Sequence, residues 1–184
     1  YCPDEAEEDV PAIAWDKLYH KSLFDALRYP VGKLHEDEFT TYLAVYRAGK
    51  VVVTREALYA YYQNPVGIML SKWTPRKLHI LEATENQIAF ARETGNLRLL
   101  KKAVSQYIYS TYEQIGFAKQ WDDPGRGRLL KILRRKLREG LRQGKNFDLF
   151  PLCRERSWMY EEAYPVKPFW WLYGKLHRGG ERQE

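Results

Sequence analysis

One spacing constrains the fold of this chain more than any other. Residues 38–64 and residues 84–110 echo each other at a constant offset of 46. Gly49 pairs with Gly95, Val51 with Leu97, Ala57 with Ala103, Leu58 with Val104 and Tyr61 with Tyr107. Around each glycine the pattern is helical. Phe39, Tyr42, Leu43 and Tyr46 recur at steps that share one helical face. Gly49 is the residue type that takes positive φ at a helix end. Thr54 then stands as N-cap to a second helix whose apolar face is Ala57, Leu58, Tyr61 and Tyr62. Val51-Val52-Val53 favours extended structure, but no second alternating run is present to pair with it as a strand. Those residues are read as the extended turn of a helical hairpin.

The same reading extends along the chain. A first helix is predicted over Trp15–Tyr29, with Leu18, Tyr19, Ser22, Leu23, Ala26 and Leu27 inward and Pro30 as its stop. Residues 31–37 read as a connector. Thr74-Pro75 opens a helix to Glu93, capped and with proline at its first position. Its inward face is Leu78, Leu81, Ile88 and Ala91, and Asn96 to Gly116 is its hairpin partner. Residues 121–125 are dense in turn formers and end that unit.

Residues 126–145 form the most basic stretch, with nine Lys or Arg against one acid, Glu139. Leu129, Leu130, Leu133, Leu137 and Leu141 share one face, and cations fill the rest. Arg128, Arg134, Arg135 and Arg138 are candidate contacts for phosphates or for an acidic partner. A solvated structural helix and a membrane surface are the other readings of this face. From Phe147 onward the chain turns aromatic and is punctuated by Pro151, Pro165 and Pro168. Trp158, Tyr160, Phe169, Trp170, Trp171 and Tyr173 are the candidate partner-binding residues, because exposed aromatics are what interface hot spots favour.

Both echoing units resemble the pentatricopeptide-type helical hairpin. Arg47-Ala48-Gly49 and Glu56-Ala57-Leu58 stand where that family ends its first helix and builds its second. Thr94-Gly95 and Ala103-Val104 repeat them more loosely. The resemblance covers about a third of the chain, and the spacing of 46 exceeds the family's roughly 35 residues. Phe39 stands near the first position with which such proteins read RNA, where it reads bases poorly. The resemblance implies an all-α fold of stacked helical hairpins, pentatricopeptide- or tetratricopeptide-like, with two to three units. An acidic arm (residues 1–14) precedes the repeat domain (15–146), and an extended aromatic docking segment (147–184) follows it.

Four histidines, His20, His35, His79 and His177, are far apart in sequence. No His-Glu-x-x-His, paired-cysteine, Walker or dinucleotide motif is present. The sequence therefore predicts neither catalysis nor a cofactor. Two cysteines, Cys2 and Cys153, make no disulfide framework, and no apolar run is long enough to span a bilayer. The basic balance, a net charge of +6, and the hairpins look like those of a mitochondrial matrix protein. In size, hairpin type and aromatic richness the chain resembles the accessory subunit on the F1 sector of euglenozoan ATP synthases. That similarity implies a non-catalytic subunit of a large mitochondrial matrix assembly. An RNA-binding or mitochondrial ribosome-associated repeat protein is the alternative.

Overall fold

The computed structural model describes residues 10–54, 56–62, 67, 71–147, 159 and 162–164. All regular structure among them is helical: α1 Glu36–Arg47, α2 His79–Glu93, α3 Leu97–Lys119 and α4 Arg126–Lys145. Short 3-10 turns occur at Lys21–Phe24 and Pro75–Leu78. No described helix is long and apolar enough to cross a membrane. The chain divides into two compact units, residues 1–103 and 104–184, with the boundary inside α3.

In the first unit α1 packs on α2. Tyr42 and Tyr46 of α1 both meet the Phe90 ring edge-on, at centroid distances of 5.3 and 4.9 Å. One turn earlier in each helix, Gln87 reaches Glu38. These contacts ascend together along both helices, so α1 and α2 run in the same sense. Parallel neighbours need a crossover between them, and residues 48–78 supply it. Ala44, Ala83, Thr84 and Ala91 of these helices are buried, as are Thr40 and Thr41, of which Thr40 donates its hydroxyl to the Arg28 carbonyl at 3.2 Å. Small side chains let two helices approach closely. Thr84 satisfies its buried hydroxyl on the Ile80 and Leu81 carbonyls.

The turn between α2 and α3 forms as its sequence predicts. Gly95 takes φ of +68°, and the Asn96 side chain accepts the Leu99 N–H at 2.9 Å, capping α3.

Two predicted helices are absent. Over residues 15–29 there is only the Lys21–Phe24 turn, and Leu18, Ser22 and Ala26 are exposed while Leu27 is buried. Here aromatic packing displaces helical packing. Phe24 stacks against Tyr29 and meets Tyr19 edge-on, both five residues away. A helix would turn such pairs about 140° apart. Residues 56–62 likewise contain no helix and are exposed throughout. Thr54 does accept the Glu56 N–H as a cap would, yet no helix follows. The Leu58 N–H closes a tight turn on the Glu56 carbonyl at 2.9 Å, and residues 59–62 have no regular structure. Trp15 explains why: it stacks on both Tyr59, at 4.6 Å, and Tyr61, at 4.7 Å. Residues two apart face the same side in an extended chain and opposite sides in a helix. Gly49 does not take positive φ, because Ala48 already leaves α1 in an extended conformation. The first of the two echoing hairpins therefore does not form.

In the second unit α4 lies against α3. Leu133, Leu137 and Leu141 are buried together with Tyr107, Ile108 and Ile115. A Cβ placed on Gly140 would come within 3.0 Å of Ile108 and 3.1 Å of Tyr107. The two helices therefore approach closely there, and a larger residue would require those side chains to give way by a few tenths of an ångström. Met159, Glu162 and Ala163 are helical, in a segment whose sequence reads as extended. Met159 and Ala163 are buried, four residues apart and so on one helical face.

Candidate functional site

The most constrained polar cluster of the first unit is the entry to α1, residues 31–38, which the sequence reads largely as a connector. His35 precedes the helix in a left-handed conformation, φ 58° and ψ 41°. A non-glycine residue there costs about 1 kcal/mol, and such strain persists only where neighbours hold it. Contacts on both sides hold it here. The Leu34 N–H donates to His79 Nδ1 at 3.0 Å, Arg76 donates to the Gly32 carbonyl at 3.1 Å, and Lys33 pairs with Glu82 at 2.5 Å. Behind His35, its own carbonyl accepts the Glu38 N–H at 3.1 Å.

His79 is held below its ordinary pKa, first by burial and then by the Lys33 charge. A neutral ring agrees with the hydrogen bond it makes. Nδ1 accepts from Leu34, so the ring proton sits on Nε2.

Three carboxylates follow in succession, Glu36, Asp37 and Glu38. They differ in what surrounds them. Glu36 is exposed. Glu38 is clamped by buried Gln87, whose amide donates to the Glu38 carbonyl at 2.7 Å and to its carboxylate at 2.9 Å. Asp37 accepts the Glu38 N–H at 2.9 Å, which favours its charged form. Burial outweighs that bond, and the neighbouring Glu38 and Glu36 charges add to it, so the Asp37 carboxyl is pushed up from its ordinary range. A carboxylate tuned upward beside a strained residue is suited to accepting a proton.

The second cluster lies on α4. Arg134 donates through Nε and Nη2 to one Glu162 oxygen, at 3.0 and 2.8 Å, and Lys119 pairs with the other. Burial alone would raise Glu162, but the bonds from Lys119 and Arg134 prevail and hold it below its ordinary value. Arg138 donates to the Ala163 carbonyl at 2.8 Å and lies over the Tyr164 ring at 5.8 Å. Of the four arginines singled out by sequence, Arg134 and Arg138 are thus bound within the chain. Arg128 and Arg135 are exposed. Trp158, Tyr160, Phe169, Trp170, Trp171 and Tyr173 lie outside the described residues. Among the described residues no group of three or more His, Cys, Asp and Glu is arranged to hold a metal ion.

Comparison with known proteins gives one partial match. The chain is 34% identical over 83 residues to Glycosyltransferase GlyA of Streptococcus pneumoniae serotype 4 (strain ATCC BAA-334 / TIGR4). The match covers 45% of this chain and 12% of that protein. No family model and no solved structure matches.

Reading the sequence alone missed His35, Asp37, Glu38, His79 and Gln87. The available signal was the run His35-Glu36-Asp37-Glu38, four ionisable residues directly ahead of the apolar positions of α1. Its partners are 45 and 49 residues away, at His79 and Gln87, and no local pattern links them.

Proposed function

We propose that this chain belongs to a glycosyltransferase and contributes its proton-accepting carboxylate. The observation that carries the reading is the 34% identity over 83 residues to a protein of that name, a stretch that is 12% of that protein. The α1 entry supports it chemically. Glycosyl transfer to a hydroxyl forms a bond between the sugar's anomeric carbon and the acceptor oxygen. The bond to the leaving group breaks, and that group departs with the electron pair. The acceptor's proton must go to a base. Asp37, raised by burial and fixed through the Glu38 N–H, is the described residue best fitted to take it. Glu38 and Gln87 hold the turn, and neutral His79 anchors its approach through Leu34.

The accessory-subunit expectation drew on size, hairpin type, basic balance and aromatic richness. Of these only the hairpin type is touched by the described residues, since residues 56–62 contain no helix. The glycosyl-transfer reading is tested by offering the full-length protein a panel of nucleotide-activated sugars with hydroxyl acceptors. Nucleoside diphosphate release would be followed. D37N should keep the fold, since its amide oxygen can still accept the Glu38 N–H, and should lower kcat by about 10² to 10⁴. Full activity in D37N, or no transfer from any donor, would refute the assignment.

A further inference from the structure

α4 divides its cations into two sets. Arg134 and Arg138 are occupied by Glu162, Ala163 and Tyr164. Arg128, Lys131, Arg135 and Arg142 are exposed. The buried set Leu133, Leu137, Gly140, Leu141 and Gly144 fixes which way the helix is turned. At about 100° per residue, the four exposed cations fall within one stripe opposite it, with exposed Glu139 at its edge, four residues after Arg135 and three before Arg142. From Arg128 to Arg142 that stripe runs about 21 Å.

Like charges three and four residues apart repel and weaken a helix. Arg128 and Lys131 stand in the first relation, and Lys131 and Arg135 in the second. Glu139 offsets Arg135 and Arg142 but has no such spacing to Arg128 or Lys131. The first half of the row therefore opposes local stability, and such local conflicts mark functional positions. An anionic surface would remove the conflict by neutralising all four charges together.

We propose that this face of α4 docks the protein on an anionic lipid surface. A straight row of cations matches a plane of headgroup charge, which asks for no base recognition. Exposed Ile132, at 38% of its full area, borders the row and gives it an apolar tip for the interface. Binding to single-stranded RNA draws on aromatic side chains for stacking, and the exposed residues of α4 include none. The leucine face is committed to the protein interior, so the helix lies on the membrane through its charge and does not insert. This inference does not depend on glycosyl transfer.

The test is co-sedimentation of the full-length protein with two kinds of vesicle: phosphatidylcholine alone, and phosphatidylcholine mixed with phosphatidylglycerol. Binding to the mixed vesicles only, fading as salt is raised, is the expected result. The variant R128Q/K131Q/R135Q should bind them about a hundredfold more weakly. These positions are exposed, so its circular dichroism should match that of the parent. R134Q, which removes one of the two partners of Glu162 and leaves the row intact, should retain most of the binding. Equal sedimentation with both vesicle types, none with either, or unchanged binding by the triple variant would overturn the proposal. So would a preference for an RNA oligonucleotide over the anionic vesicles.

Discussion

Residues 49–62 and 95–107 carry matching residues at matching positions and fold differently. Tyr107 is 3% exposed within α3, whereas Tyr61 is 60% exposed in an extended chain. Ala103 and Val104 are buried, while Ala57 and Leu58 are exposed. Both segments have a capping side chain at the right place: Asn96 accepts the Leu99 N–H, and Thr54 the Glu56 N–H. The difference lies in what each aromatic can reach. Tyr107 finds the cleft that Gly140 leaves open. Tyr59 and Tyr61 find Trp15 instead, and only an extended chain lets both stack on it. A helical pattern of apolar residues specifies a helix only when a surface with the helical period is there to receive it.

The strongest way to break this comparison is to truncate the paired tyrosines. Y107A should lower stability by about 3 kcal/mol in urea unfolding, the cost of emptying a buried aromatic site. Y61A should cost about 1 kcal/mol, the scale of one aromatic stacking contact. Equal losses would mean that the two segments are equivalent after all. A smaller effect separates the caps. N96A should cost about 1 kcal/mol because a helix depends on it, and T54A should change stability by less than about 0.5 kcal/mol.

The smallest expected effect is one of pH and belongs to the second unit. The folded pKa of Glu162 lies below its unfolded value. Its contribution is therefore fully present above the unfolded carboxylate range near 4.5 and is lost as pH falls through the folded value. Hydrogen exchange of α4 amides should accelerate across that window. E162Q should remove the dependence and leave exchange at Tyr59 and Tyr61 unchanged. Identical pH profiles for E162Q and the parent would assign the acid sensitivity to another group.

Much of the helical content was legible in the sequence, and for definite reasons. α4 begins and ends where its leucine spacing and the Asp122-Asp123-Pro124-Gly125 break say it should. Thr74-Pro75 and Gly95-Asn96 bracket α2 as predicted, although a 3-10 turn opens it. These signals are local, carried by caps, turns and one-sided apolar faces. Residues 15–29 were misread because rings five residues apart pack on one another, and residues 56–62 because Tyr59 and Tyr61 stack on Trp15, 44 and 46 residues away. The α1 entry was hidden for a similar reason. His35 reads as an ordinary connector residue until Leu34 is seen to rest on His79 and Glu38 on Gln87. The four histidines that looked scattered include two, His35 and His79, that the fold brings close enough for the first to help hold the second low.

The glycine contact between α4 and α3 has a consequence for how this part of the chain can change over generations. Side chains at Tyr107 and Ile108 lock the rotational phase of α4 at Gly140. Substitutions on its outer surface are then free of the core, one at a time. Insertions are not: a single residue added between Arg135 and Gly140 would swing everything before it by about 100°. It would carry Arg128, Lys131 and Arg135 off the outer stripe and away from Arg142. Point substitution and length change are thus very unequal steps here, and relatives that retain the stripe should keep the interval from Arg128 to Gly140 constant even where its residues differ.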